Sequence, residues 1–569
     1  MFYGLTLLDL VVILGYVSLI IYLGWWTKQQ VQSTGDYFMG SRRFGKIMMI
    51  TNALGAGTRT DQAVAVSGAC YQIGLAGIWY QWLYIFNTPF YWLLAPIYRR
   101  LRYITTGDFF EERYGNRLGA AYAAMGLFYF TLNAGLMLKG TGTAIEAVTK
   151  IPSEIIVFIL LGVFLAYSVL GGLVSAMVVN VIQGMFILVL SFLLIPFALN
   201  AAGGISTVKA DLPGYMFSFI APHEVTLFFI ITVVINSLIG IVVEPHHMQV
   251  GGAGKTEMNC RTGWTYGNFV KRLATLGWAF VGVFAAALFP GLTSKNRELA
   301  FGVAVVNLLP SGLVGLMVAA MSAAVMAACH NFMVGGSALF TRNFYKRYFR
   351  KNQNELHYLK IARYSSFFIV IGGVVFALIL PNVVEGLKIV WQMTAFFGIA
   401  FWMAIIWRRA NRYGVWVSLF VTVISSLYVG DYFGFGLGLS IAWQITIYLP
   451  LGFLSFIIGS LLTKPEPKDK LDKFYALLHT PVGEEYKLKE AGIEMILDGI
   501  PVDKIVNEKE VDKKASLEEN GASLLIVNLL SIKDKFSLKK YKVDIYGFAA
   551  AVLLVIVIIG IGLFTSSLG

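Results

Sequence analysis

Long apolar stretches alternate with short polar loops along most of the chain. Most of these stretches run for about 20 residues, the length that a helix needs to cross a bilayer. A spanning β-strand would instead show about ten residues of alternating hydrophobicity. The pattern therefore predicts an all-α integral membrane protein with about fourteen transmembrane helices. The predicted spans are residues 5–26, 46–77, 78–98, 119–148, 152–172, 174–198, 226–246, 270–291, 312–341, 363–381, 387–407, 414–430, 440–463 and 543–565.

The spans and one long polar segment divide the chain into five predicted parts. These are residues 1–45, a first helix and cytoplasmic loop; 46–407, a ten-helix core; 408–463, two additional helices; 464–542, a cytoplasmic loop; and 543–569, a final helix. The 464–542 loop mixes basic and acidic residues around one apolar patch and shows no phosphate-binding glycine motif. We expect it to be a partly helical, partly flexible linker.

Composition and charge support a membrane protein and argue against a nucleic-acid partner. The chain is 57% hydrophobic and 14% charged, with a net charge of +13, whereas soluble proteins carry about 25% charged residues. With both termini outside, most of the Lys and Arg residues between spans fall in cytoplasmic loops, which is the positive-inside pattern. The basic balance thus needs no nucleic acid. We expect a multi-pass protein of the plasma (inner) membrane, with lipid and a small solute as partners and no obligate protein partner.

The first apolar run lacks a basic leader and a cleavage site, so no signal peptide is expected. Three widely spaced cysteines give neither a disulfide framework nor a metal pattern. They are Cys70, Cys260 and Cys329.

The stretch 51–75 is apolar yet carries Arg59, Asp61 and Gln62 in its middle, with three glycines around them. A charge near the bilayer centre costs roughly 2.5–3.5 kcal/mol on insertion scales, so such residues face a protein interior or a wet cavity. We predict a broken transmembrane helix at a binding site. The alternative is a structural Arg59–Asp61 pair. Since residues two apart on an intact helix point to different faces, that pair also requires an unwound backbone.

A second interruption is predicted five spans later. The seventh span carries Asn236, Ser237 and Gly240 in its middle and Pro245 near its end. Interrupted helices at matching positions are typical of the inverted repeats of secondary transporters.

Five motifs together carry a family resemblance over about residues 5–463. They are T-G-D-Y-F-M-G-S-R-R (Thr34–Arg43); Ser67-Gly68 with Tyr71–Leu75; Y-S-V-L-G-G-L with the following residues (Tyr167–Gln183); Gly312–Ala328 with Ala338–Thr341; and Phe474-Tyr475 with Thr480–Gly483. They resemble the sodium/solute symporter family, whose relatives include sodium–glucose, proline and pantothenate symporters. The resemblance implies a LeuT-type 5+5 inverted-repeat core, symport of a small organic solute by alternating access, and Na⁺ as the coupling ion with no other cofactor.

The resemblance also implies where the coupling sodium would bind. The family-equivalent positions are the backbone carbonyls of Gly55, Thr58 and Ala324, the hydroxyl positions at Ala327 and Ala328, and the acidic position near the cytoplasmic exit at Asn180. Sodium prefers oxygen ligands, and methyl groups supply none. The sodium site is therefore expected to be degenerate.

Arg59 lies next to this position, and its guanidinium offers a permanent positive charge. Two hypotheses stay open: family-type sodium symport, or a sodium-independent or proton-coupled transporter in which Arg59 replaces the ion. Asp61 and His330 are the candidate proton carriers, because histidine titrates near neutral pH.

Five intramembrane polar residues are candidates for substrate contacts. They are Gln62, Gln81, Lys139, Lys271 and Gln392. Gln62 and Lys271 keep the residue type of sugar-type relatives. Buried lysines with an arginine suit a carboxylate or a sialic-acid-like sugar, although each lysine alone can snorkel to an interface. His246 and His247 are interpreted as capping the cytoplasmic end of the seventh span, not as a metal site, because no carboxylate or cysteine partner is spaced for one.

Two other classes are weighed. A transporter-like solute sensor would signal through residues 464–542, where no catalytic or receiver motif is found. A membrane enzyme needs a nucleophile–base pair or metal ligands at one depth, and none can be placed, so the protein is not expected to be an enzyme. The sequence leaves open the solute, the coupling ion, the oligomeric state and the role of the 464–542 loop.

Overall fold

The computed structural model describes residues 4–27, 33–168, 172–221, 224–431, 436–493, 495, 523–529 and 536–567. These residues are mostly helical, and their only extended pairings are two isolated bridges. Within them, ten helices are long and apolar enough to cross a membrane, accompanied by three shorter apolar helices. The all-α membrane fold is thus as predicted, whereas the count of fourteen spans is not reproduced.

The helices follow one another with short connections. From the N-terminus they are α1 (Leu7–Thr27), α2 (Thr34–Met39), α3 (Lys46–Gly57), α4 (Thr60–Ile73), α5 (Trp79–Trp82), α6 (Thr88–Leu101), α7 (Thr106–Tyr114), α8 (Asn116–Thr149), α9 (Ser153–Ser168), α10 (Gly172–Phe192), α11 (Leu194–Ala201) and α12 (Ile205–Asp211). The second half begins with α13 (Leu227–Gly240), α14 (His247–Gly252), α15 (Glu257–Leu288), α16 (Ala300–Leu308), α17 (Leu313–Leu339) and α18 (Glu355–Ile379). It ends with α19 (Val383–Ile406), α20 (Arg412–Gly430), α21 (Ile441–Leu462), α22 (Lys468–His479), α23 (Glu485–Glu490) and α24 (Lys542–Ser567).

The first predicted break lies between α3 and α4. Thr58 and Arg59 leave the helical conformation, with backbone φ, ψ angles of −112°, 123° and −140°, 152°. The Thr58 amide still bonds to the Leu54 carbonyl, so the helix is complete up to that residue. The break falls just after the glycines that were expected to carry it. It turns the Arg59 side chain and the first turn of α4 toward the inside of the bundle.

The second break falls later than the polar residues predicted for it. Asn236 and Ser237 lie inside α13, which continues through a 3₁₀ turn at Ile241–Val243. Glu244 and Pro245 then interrupt the chain before α14 starts at His247. The cause is Pro245, because proline lacks an amide hydrogen and disfavours the helical conformation of the residue before it.

Helix α15 packs closely on the first broken helix. A Cβ atom at Gly267 would lie 2.6 Å from the Ile50 carbonyl oxygen, and one at Gly282 would lie 2.3 Å from the Ser67 carbonyl oxygen. Small residues at such positions let membrane helices approach each other. This contact places the middle of α15 beside the break at Thr58–Arg59.

The span predicted at 270–291 is in fact a helix that begins thirteen residues earlier, at Glu257. Its polar first turns are buried because their charges have partners. Glu257 pairs with Arg100 of α6 at 2.9 Å, and Arg261 pairs with Asp544 of α24 at 2.6 Å. A hydropathy pattern cannot reveal such compensation.

Part of the predicted 464–542 linker is folded onto the core. Helices α22 and α23 lie against the ends of α6 and α7, where Glu485 pairs with Arg102 at 2.8 Å and Lys473 with Glu112 at 3.0 Å. Residues 496–522 of this segment, like residues 169–171 of the glycine-containing motif, lie outside the described residues.

Candidate functional site

The two helix breaks face one polar cavity in the middle of the bundle. The first broken helix and α5 contribute Arg59, Gln62 and Gln81 to its wall. The second break contributes Glu244, His246 and His247, α8 contributes Tyr129 and Asn133, and α15 contributes Asn268, Lys271 and Arg272. Tyr84, Phe332 and Trp391 are among the aromatic residues that complete the wall.

Arg59 is held on three sides. Its Nη2 lies 3.2 Å from Asp61 Oδ2, and its Nη1 donates to Asn133 Oδ1 at 3.1 Å. The guanidinium also lies 5.7 Å from the centre of the Phe332 ring, a cation–π distance. The direct Arg59–Asp61 pair therefore exists, and it requires the extended backbone at Arg59. Arg59 nevertheless forms part of the cavity wall, with Asp61 behind it.

Glu244 lies against two imidazole rings. Its Oε2 is 3.4 Å from His247 Nε2 and 3.8 Å from His246 Nε2. All three side chains are buried. The expectation that no carboxylate accompanies the histidine pair was wrong, because Pro245 ends the helix and lets the backbone bring Glu244 back beside His246 and His247.

Two further cations come from α15. Lys271 and Arg272 are 6% and 1% exposed. Arg272 donates through Nε to Thr88 Oγ1 at 3.3 Å and lies 5.5 Å from the centre of the Tyr84 ring. These two cations are adjacent in the sequence, and both face the cavity. Arg59 and Glu244 reach the same cavity from the two helix breaks.

The family-equivalent sodium position is lined by few side-chain oxygens. Ala324, Ala327 and Ala328 of α17 are fully buried methyl groups. Thr58 Oγ1 is buried and has no hydrogen-bond partner among the residues that the structure describes, so it remains available to a ligand. The neighbouring Thr60 hydroxyl is not available in the same way, because it donates to the Met321 carbonyl at 2.7 Å.

Asn180 occupies the position where the family resemblance implies an acid. Its Nδ2 donates to Asn52 Oδ1 at 2.9 Å, and its side chain packs 3.0 Å from where a Cβ atom of Gly55 would stand. The amide thus bridges α10 to α3 beside the break. It contributes no charge there.

Three of the five substrate candidates meet in the cavity, namely Gln62, Gln81 and Lys271. The other two do not line it. Lys139 Nζ lies 3.4 Å from the Ala377 carbonyl on α18, and Gln392 donates to Gln444 Oε1 on α21 at 2.6 Å. Both residues lie on helices that line the cavity, α8 and α19, but on faces turned toward other neighbours.

His330 also points elsewhere. It lies on α17, with its ring 6.3 Å from that of Phe164 and nearly perpendicular to it. The other candidate proton carrier, Asp61, contacts the cavity wall through Arg59 at 3.2 Å.

Glu244 and Arg272 were missed by sequence reasoning. Glu244 had a readable signal, an acid before proline and two histidines at the end of an apolar run. The predicted span 226–246 makes Glu244 part of a helix end, and only the break at Pro245 brings it to the cavity. Arg272 was missed because only its neighbour Lys271 matches a polar position of the sugar-type relatives.

The chain is similar in sequence to known membrane transporters. The family model for the sodium:solute symporter family matches residues 37–422. The sodium/glucose cotransporter of Vibrio parahaemolyticus is 22% identical over 471 residues, which is 75% of this chain and 86% of that protein. The sodium/pantothenate symporter of Escherichia coli (strain K12) is 24% identical over 464 residues, 75% of this chain and 91% of that protein.

A solved structure shows the same fold. The substrate-bound, outward-open structure of a Na⁺-coupled sialic acid symporter superimposes with a TM-score of 0.69 at 17% identity, covering 81% of this chain and 99% of that one. The fold and the family resemblance predicted from the sequence are confirmed. The chain belongs to the sodium:solute symporter family, and it is a secondary transporter of a small solute that works by alternating access.

Proposed function

We propose that the protein transports a small organic anion, a carboxylate that also carries hydroxyl or amide groups. The observation that carries this proposal is the convergence of Arg59, Lys271 and Arg272 on one buried cavity. Glu244 in the wall and Asp61 behind Arg59 balance two of these three charges. A solute carboxylate would balance the third, and buried charges are stable when they are paired.

The uncharged part of the wall supports a polar solute. Gln62 Oε1, Gln81 Oε1 and His246 Nδ1 are buried and lack a hydrogen-bond partner within the described part of the chain. Buried polar atoms are normally hydrogen-bonded, so these are natural contacts for solute hydroxyl or amide groups. Trp391 and Tyr84 add aromatic surface. The similar sodium/pantothenate symporter, whose named solute is a carboxylate with hydroxyl and amide groups, supports this solute class.

Uptake into proteoliposomes tests the solute class. The panel contains two anions, pantothenate and sialic acid, and two solutes without net charge, glucose and proline. We expect uptake of an anion and none of glucose, with Lys271→Gln reducing the anion uptake at least tenfold. The matched control is Lys209→Gln, since Lys209 contacts Phe217 away from the cavity. Uptake of glucose alone, unaffected by Lys271→Gln, would contradict the proposal.

For the coupling ion, family-type sodium symport is the first candidate. Thr58 Oγ1 and the carbonyls at the break supply oxygens, and the family is sodium-coupled. A second candidate, sodium-independent transport, is favoured by the methyl groups of Ala327 and Ala328 and by the fixed charge of Arg59. Uptake in sodium and in choline media separates them. Equal rates favour the second candidate, and Ala327→Ser with Ala328→Ser and Arg59→Gln should then restore a dependence on sodium.

We also propose a plasma (inner) membrane location with both termini outside. The positive-inside pattern supports this orientation. Arg102 of a predicted cytoplasmic loop pairs with Glu485 of the 464–542 segment, so these two predicted cytoplasmic parts lie at the same end of the bundle. Labelling of a cysteine introduced at Lys468 tests it. Reaction with a membrane-impermeant thiol reagent only after the membrane is opened is the expected result.

A further inference from the structure

We propose that Glu244, His246 and His247 form a binding site for a divalent transition-metal ion, of which Zn²⁺ is the representative. The site goes beyond solute transport, since the metal would bind whether or not a solute is present. It lies on the wall of the central cavity, at the second helix break.

The distances match metal ligation better than hydrogen bonding. One ligand atom from each residue lies within 4.8 Å of the other two. The two imidazole Nε2 atoms are 3.4 and 3.8 Å from Glu244 Oε2. Ligands about 2.0–2.1 Å from a tetrahedral zinc ion are about 3.3 Å apart, whereas hydrogen-bonded N and O atoms are about 2.7–3.2 Å apart. Contraction of the three ligand atoms to separations of about 3.3 Å would complete the site.

His247 is oriented as metal-binding histidines are. Its Nδ1 lies 2.6 Å from the Ile241 carbonyl oxygen. Because a carbonyl only accepts, Nδ1 carries the proton and Nε2 presents its lone pair to Glu244. A lone pair and a carboxylate oxygen that face each other at 3.4 Å repel unless a cation, either a proton or a metal ion, lies between them. A hydrogen bond from the second ring nitrogen to a carbonyl is the usual support of a ligating histidine.

His246 provides an independent observation. It is 6% exposed, and its Nδ1 has no hydrogen-bond partner in the described residues. Its ring is fixed between Tyr129, with centroids 6.4 Å apart, and Phe332, at 4.8 Å. The fixed ring holds Nε2, the ligating atom, 3.8 Å from Glu244 Oε2, while Nδ1 on the other side of the ring is available to a solute group.

The neighbouring charges set the strength of the site. Arg59, Lys271 and Arg272 face the same cavity and repel a divalent ion, while Asp61 offsets Arg59. Removal of the Lys271 charge should therefore strengthen metal binding. Three protein ligands leave one position of a tetrahedral ion open, as in sites where the metal binds an exogenous oxygen. That position would face the cavity, where a solute carboxylate or hydroxyl could fill it.

The test measures metal binding by purified, tag-free protein in detergent without any solute, so its outcome is independent of the transport proposal. Calorimetry with Zn²⁺ should show one site, and Mg²⁺, which prefers oxygen ligands, should show none. Glu244→Gln and His247→Gln should each weaken zinc binding at least tenfold, and Lys271→Gln should strengthen it. Co²⁺ should give the visible absorption of a tetrahedral site, lost in His247→Gln.

The matched control is His357→Gln. The His357 imidazole lies away from the cavity, and its Nε2 is hydrogen-bonded to the Tyr345 hydroxyl at 2.9 Å. It should bind zinc as the wild type does. Thermal unfolding and gel filtration verify that each variant is folded. Zinc affinity unchanged in both Glu244→Gln and His247→Gln, or zinc binding that only His357→Gln removes, would overturn the proposal.

Discussion

The Arg59 guanidinium lies 3.2 Å from the Asp61 carboxylate, although only one residue separates them in the sequence. Arg59 belongs to the extended break and Asp61 to the first turn of α4, so the two side chains can converge. The contact therefore has a structural role and a functional role. The pair balances charge inside the bundle and presents the arginine to the cavity.

Removal of one partner should be far worse than removal of both. Asp61→Asn leaves Arg59 buried with only its Asn133 hydrogen bond and the Phe332 ring, and loss of one partner of a buried pair costs about 3–5 kcal/mol. We expect a clearly lower thermal unfolding temperature in detergent, measured by tryptophan fluorescence. The double variant Asp61→Leu, Arg59→Met should recover much of that loss. A double variant no more stable than Asp61→Asn would show that the pair contributes nothing as a unit.

Close packing behind Asp61 gives a second prediction. A Cβ atom at Gly140 of α8 would lie 2.6 Å from the Asp61 Cα atom, a contact with backbone that cannot yield easily. Gly140→Ala should therefore displace α4, lower the unfolding temperature and reduce uptake. Gly184→Ala on α10 is the matched control, because its nearest neighbour would be 3.8 Å away. It should be neutral or slightly stabilising, since alanine favours a helix over glycine by about 1 kcal/mol. Equal effects would contradict this packing.

The attachment of α23 to the core should depend on pH. Burial raises the pKa of Glu485, but Arg102 and Arg99 outweigh it and hold the pKa of that carboxyl below its usual range. Such a group stabilises the folded state above its unfolded pKa, about 4.3, and this stabilisation is lost as the pH falls through the lower, folded pKa. Glu485→Gln should loosen the attachment already at pH 7.

Hydrogen exchange of residues 468–490 in the full chain measures this attachment. In the wild type, exchange should be slow at pH 7, and protection should fall only below about pH 4.3. Lys487→Gln is the control, since Lys487 pairs with Glu484 on the exposed side of α23. Unchanged protection in Glu485→Gln at pH 7 would exclude the Arg102 pair as an anchor.

Sequence reasoning worked where a single segment carries its own signal. The break near Arg59 was predictable because charged residues and glycines interrupt one apolar run. The start of α15 was not, because Arg261 and Asp544 are acceptable in the bundle only as a pair, and they are 283 positions apart in the chain.

The residues of the cavity wall could likewise be predicted only in part from the sequence. Gln62, Gln81 and Lys271 were found from their residue types, but Lys139 and Gln392 have equally polar side chains and face other helices. Which face of a helix meets the cavity depends on packing between segments, and a sequence pattern alone does not specify it. Predicting Glu244 as a cavity residue requires knowing that the helix is interrupted before it reaches α14. Pro245 alone does not establish that interruption until the surrounding helices are placed.

Pro245 should be the residue that keeps the second break open. Pro245→Ala restores an amide hydrogen and permits a helical Glu244, so the chain from α13 to α14 can become more continuous. We expect slower hydrogen exchange over residues 241–249 and a loss of anion uptake, because Glu244 and His246, two residues apart, would then point to different faces of the helix. Pro450→Ala is the matched control, since Pro450 lies inside α21, away from the cavity. It should preserve uptake. If Pro245→Ala instead preserves both exchange and uptake, the break is imposed by packing of the surrounding helices and not by the proline.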